Sequence, residues 1–119
     1  MPKATGRIGS WFVSVTGQGI PEVYDIPVIH DYWIEKGTMN YHDKKLSPDH
    51  PKAKKFTDAI KNDGRVVMQK STVRETREDG TILFDRVGYI ALFQVDKESI
   101  IHDADGLRFK ITKRLNDLA

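Results

Sequence analysis

Alternation of apolar and polar positions dominates the second half of this chain. Residues Arg65 to Thr76 and Thr81 to Val95 are rich in β-branched and aromatic side chains and flank Arg77-Glu78-Asp79-Gly80, a hairpin signal. Along the second run Val87, Tyr89, Ala91, Phe93 and Val95 fall on one face of an extended chain, and Ile90 and Leu92 on the other. Its distal half is therefore apolar on both sides and predicts a central strand, with Gly88 marking a bulge or a close packing approach. After Asp96-Lys97-Glu98 and a short segment Ser99 to His102, Asp103-Ala104-Asp105-Gly106 predicts another turn. Leu107, Phe109 and Ile111 then alternate with Arg108, Lys110 and Thr112, the pattern of a half-buried strand with one basic face. The tail, Lys113 to Ala119, suits a helical turn with Leu115 and Leu118 folded back.

The first half changes period. Ser10 to Val15 reads as a strand ending at Thr16-Gly17-Gln18-Gly19, a turn signal. Ile20 to Trp33 contains Pro21 and Pro27, which argue against a regular central strand or a helix interior and for an edge strand or extended arm, with a short strand or helical turn around Val28 to Ile34. From Gly37 to Pro51 no apolar period survives, and an irregular segment is expected. Ala53, Phe56, Ala59 and Ile60 then share one face of a helix over Pro51 to Asn62, with Ser47 or Asp49 as its cap and Gly64 as a left-handed stop. The sum is a single α+β domain over residues 1–119: about five strands, mostly antiparallel, in a curled sheet or partly open barrel with one main helix.

At 119 residues the chain has the size of one ordinary domain. It has no cysteine, which removes disulfides and thiolate chemistry and fits a reducing compartment, and no apolar run of about 18 residues that would span a bilayer. A cytoplasmic protein without a membrane partner is the expectation. The net charge of +2 is unevenly spread: residues 44–65 hold seven Lys and Arg against three acids, and residues 106–119 hold four against one. Lysine and arginine neutralise phosphates and exposed aromatics stack on unpaired bases, so Tyr41, Lys44, Lys45, Lys52, Lys54, Lys55 and Lys61, with Arg108 and Lys110, form a candidate nucleic-acid surface, provided the fold brings the two basic segments together.

An alternative is a protein-interaction or inhibitory module, or a homodimer, using the aromatic arm with Tyr32 and Trp33 or an exposed sheet edge. A cluster of His30, Tyr32, Trp33 and Tyr41 would suit a small-ligand or peptide pocket if the irregular segment folds over the sheet. All four histidines neighbour an aspartate, and a metal site assembled from His30, His42 and His50 is geometrically conceivable, although no diagnostic ligand spacing occurs. Asp103-Ala104-Asp105-Gly106 lacks the later ligands of a calcium loop, Gly17-Gln18-Gly19 lacks a Walker lysine, and no serine sits in a nucleophile elbow. The sequence thus points to a non-enzymatic binding module without a cofactor.

Overall fold

The computed structural model of the chain describes residues 2–5, 10–17 and 20–118, of which 20–24 by their backbone alone. Seven strands, β1 (Lys3–Thr5), β2 (Phe12–Gly17), β3 (Ile20–His30), β4 (Asn40–Asp43), β5 (Arg65–Thr76), β6 (Ile82–Asp103) and β7 (Gly106–Asp117), form one sheet in the order β1-β2-β3-β5-β6-β7-β4. The sheet is open, with β1 and β4 at its edges, and it is mixed because β3 and β5 run parallel while the other pairs are antiparallel. This corrects the five-strand, mostly antiparallel sheet or barrel expected from the pattern. The protein is mostly β, with one helix, α1 (Ala53–Asp63), and one 3-10 turn, Asp31–Trp33, among the described residues.

Four local readings are revised for identifiable reasons. Pro27 lies in a central strand, not an arm: the Val28 N–H bonds the Trp11 carbonyl on the β2 side, so the Pro27 nitrogen faces the β5 side, one residue before pairing with β5 begins at Val28. The missing donor falls where the ladder has no bond to make. The expected irregular segment contains β4, whose single buried side chain, Tyr41, gives no period to detect. Asp96 to Ser99 does turn, but as a bulge inside the long β6, closed by Glu98 N–H to the Asp96 carboxylate and by Lys110 N–H to Ser99 Oγ. The tail continues β7 instead of turning helical, and Leu118 is nonetheless buried. The turn at Gly17-Gln18-Gly19 falls partly on Gln18 and Gly19, outside the described residues.

The β5–β6 hairpin carries further register shifts. Met68 faces Ala91 but Gln69 faces Tyr89, so Ile90 is the extra residue on β6 and Tyr89 moves to the face of Leu92. A second shift skips Val87, beside Gly88.

Helix α1 buries Ala53, Phe56, Thr57 and Ile60 against Ile29, Val66, Met68, Phe93 and Phe109. Full burial of a side chain such as Phe56 is worth about 1.5–3 kcal/mol. No side chain caps its start at Lys52, so neither Ser47 nor Asp49 fills that role; the helix ends at Gly64 with φ 72. On the reverse face Val28, Val67 and Leu92 pack with Val13, Val15, Ile26 and Leu118. The sheet is thus apolar on both sides at its centre.

Candidate functional site

The end of β3 and the 3-10 turn set His30 and Trp33 beside the start of β2, where Trp11 stands, and opposite the tip of the β5–β6 hairpin, which brings Phe84 and Arg86. The end of β4 supplies Asp43 and the segment after it Leu46 and His50, closing a cleft of about 400 Å³. A deeper recess of about 170 Å³ shares Trp11, His30, Asp43, Leu46 and Arg86 with it and reaches Tyr41 and Phe56 in the core.

The walls are aromatic and fixed by packing. Trp11 meets Phe56 edge-on at 5.4 Å and lies 5.0 Å from the His50 ring. Phe84 lies parallel to His30 at 5.9 Å and receives Tyr32 and Trp33 at steep angles. The segment from Asp43 to His50 is held from below. His102 Nε2–H donates to the Leu46 carbonyl at 3.0 Å, which leaves Nδ1 to accept from the Thr57 hydroxyl at 3.2 Å, tying that segment to α1 and β6.

Polar groups in the cleft are biased away from charge. His30 Nδ1 pairs with Ser71 Oγ at 2.9 Å, and the Ser71 N–H donates to the Asp31 carboxylate. Burial, and then the Arg86 charge, lower the His30 pKa below its usual 6.5. Burial raises the Asp43 carboxyl above its usual 3.8, against the pull of the Lys45 and Leu46 N–H groups and the neighbouring His42 and His102. Tyr41 is fully enclosed, stacked on Phe109 at 4.7 Å, and burial, reinforced by the Asp43 charge, pushes its phenol well above 10.0. Arg86 is different. It is exposed at the cleft wall, and among the described residues no carboxylate forms an ion pair with it.

No family model, curated protein or solved structure matches this chain. The functional reading accordingly rests on the chemistry of its own residues.

The residues singled out in the sequence are distributed unevenly. Lys44, Lys45, Lys52, Lys54, Lys55 and Lys61 are exposed, with Lys54 paired to Asp58, and Lys52 and Lys55 lying over the rings of Trp11 and Phe12. Leu107, Phe109 and Ile111 are buried on the α1 side of the sheet, so by alternation Arg108 and Lys110 project from the opposite surface. The helix lysines and the basic face of β7 therefore do not form one platform, and Tyr41, only 2% exposed, offers no ring for a base to stack on. Arg108 also engages Asp103 at 2.9 Å.

Of the three candidate metal histidines, His30 and His50 line the cleft, whereas His42 turns away and bonds the Asp105 carbonyl at 2.8 Å. His50 Nδ1 accepts the Lys52 N–H. Among the described residues no group of three or more His, Asp or Glu is placed to hold a metal ion. Trp33 forms part of the cleft wall, while Tyr32 is 44% exposed on its outer side. Trp11, Asp43, Phe84 and Arg86 escaped the sequence reading as site residues. Phe84 and Arg86 lie two apart on β6, but Trp11 and Asp43 are distant from them in the chain, and no local spacing links the set.

Gln69 also escaped it. This residue is 1% exposed, pairs with His30 across the parallel β3–β5 ladder, and has no hydrogen-bond partner for either amide atom among the described residues. Buried amides are normally satisfied, so a Gln69 amide without a partner would cost stability.

Proposed function

We propose that this chain is a small-ligand-binding domain whose ligand occupies the cleft between Trp11, Trp33 and Phe84. One observation carries the reading: a guanidinium without an ion partner among the described residues stands in the wall of an aromatic cleft whose volume, about 400 Å³, falls in the range of small-molecule sites. Rigid aromatic walls give a ligand contact area at little entropic cost, and a few polar groups fix its orientation. The neighbouring acids are already engaged, Asp43 by the Lys45 N–H and Asp79 by the Thr81 N–H, so Arg86 is open to a new strong contact. Among the described residues no helix is long and apolar enough to cross a membrane, and the cytoplasm, suggested by the absence of cysteine, is the compartment we assign to this role.

The test is titration of the isotopically labelled protein with 2-naphthalenemethanol, a neutral bicyclic probe, followed by amide and indole resonances. Shifts that saturate and concentrate at Trp11, His30, Trp33 and Phe84 are expected. Shifts confined to α1, or none at millimolar concentrations of this alcohol and of its charged analogues alike, would reject the cleft as a ligand site.

A further inference from the structure

Resting on the ligand-site reading, we infer that the natural occupant is a planar aromatic monoanion, a carboxylic acid whose ring lies against Trp11, Trp33 and Phe84 and whose carboxylate is held by Arg86. The walls select the body of the ligand. Five rings, including the imidazole of His30 held parallel to Phe84, line the cleft, and flat π surfaces pack there in offset or edge-on arrangements. Charge selects its head group. The lining holds two fixed cations, Lys45 and Arg86, and two acids, Asp43 and Asp79. Asp79 is held ionised chiefly by the Thr81 N–H, with Lys45 adding to that effect, so the two rim charges offset each other. On the inner side Arg86 has no ion partner among the described residues, and the nearby Asp43 carboxylate is turned to the Lys45 N–H instead.

The site therefore offers one guanidinium that no carboxylate among the described residues engages. One guanidinium matches the two oxygens of a carboxylate in a fork-to-fork pair. A dianionic phosphate would bring a second negative charge toward the carboxylates of Asp43 and Asp79. A neutral ligand would desolvate Arg86 without pairing it, which is costly. Arg86 also stands on β6 directly opposite Ser71, whose hydroxyl bonds His30, so the anion anchor and the stacking imidazole belong to one hydrogen-bonded register.

The experiment compares three probes of one ring system by calorimetry: naphthalene-2-carboxylate, 2-naphthalenemethanol and 2-naphthyl phosphate. The carboxylate is expected to bind at least about tenfold more tightly than either of the others, the gain of one good charge-assisted contact. Arg86→Gln should bring the carboxylate down to the level of the alcohol, which itself should bind the variant no more weakly than the parent, and Arg86→Lys should fall between. Because Arg86 is an exposed strand residue, the fold of both variants is checked by their unfolding midpoints. Equal binding of acid and alcohol, or an acid preference that survives Arg86→Gln, would overturn the anion assignment while leaving the cleft as a ligand site. Tighter binding of the phosphate would overturn the carboxylate in favour of a phosphoryl ligand. Failure of all three probes to bind would remove the ligand-site reading itself.

Discussion

Gly106 opens β7 with φ 106, and the methyl of an alanine there would lie 2.0 Å from the Asp43 carbonyl oxygen and 2.9 Å from Lys44 Cα. Both contacts are backbone, so relief requires β4 to move away from β7 by about an ångström at the position where Asp43 pairs with Leu107. Gly106→Ala combines two costs: about 1–3 kcal/mol for a non-glycine residue held at positive φ, and about 1–3 kcal/mol for the overpacking. Their sum, about 4 kcal/mol at mid-range, is a large share of the stability of a domain this size. Gly37→Ala separates them, because Gly37 also has positive φ, at 77, but a methyl there would meet nothing within 4 Å. Urea unfolding of the two variants should place Gly37→Ala about 1–2 kcal/mol and Gly106→Ala about 3–5 kcal/mol below the parent, at constant m-value. Asp43 lines the cleft, so the same substitution should also weaken ligand binding. If Gly106→Ala costs no more than Gly37→Ala, the close approach of β4 to β7 is wrong.

Two further outcomes follow from buried polar groups. Gln69→Met removes an amide with no partner among the described residues and keeps its length, so a gain of about 1–2 kcal/mol in urea unfolding is expected; a loss exceeding 1 kcal/mol would mean that the amide is satisfied. His30 titrates below its usual 6.5 in the folded state, so the unfolded chain takes up the proton first and stability falls as pH drops below about 6.5. Asp43 acts in the opposite sense: its raised folded pKa means the native state binds the proton first, and its contribution to stability rises as pH falls toward 3.8. His30→Gln should therefore flatten the decline below pH 6.5 and Asp43→Asn should steepen the acid side; unfolding curves unchanged by either substitution would contradict these environments.

What could be read in the sequence was local. The α1 face, its stop at Gly64 and the hairpin around Gly80 follow from period and turn chemistry within a dozen residues. So does the tight turn before Gly106, where the Asp105 N–H bonds the Asp103 carboxylate. What was misread depended on partners far along the chain. Pro27 is harmless in a central strand because of where β5 happens to begin, and Tyr41 is buried because β4 pairs with β7 some seventy residues later. Alternation along β7 showed that Arg108 and Lys110 share a face, but not that α1 packs on the other one. The cleft was hidden for the same reason: Trp11 just before β2, Trp33 in the 3-10 turn and Phe84 on β6 belong to three separate stretches of chain, and it is the parallel pairing of β3 with β5 that brings the hairpin tip over the end of β3.

The central claim, that the cleft holds a ligand, is tested most directly by intermolecular nuclear Overhauser effects between naphthalene-2-carboxylate and the labelled protein. Contacts from the naphthalene protons to the indoles of Trp11 and Trp33 and to the Phe84 ring, lost in Trp33→Ala while the fold is retained, are the result this account predicts. Contacts to the exposed side of α1 instead, or an absence of contacts at saturating probe, would contradict it.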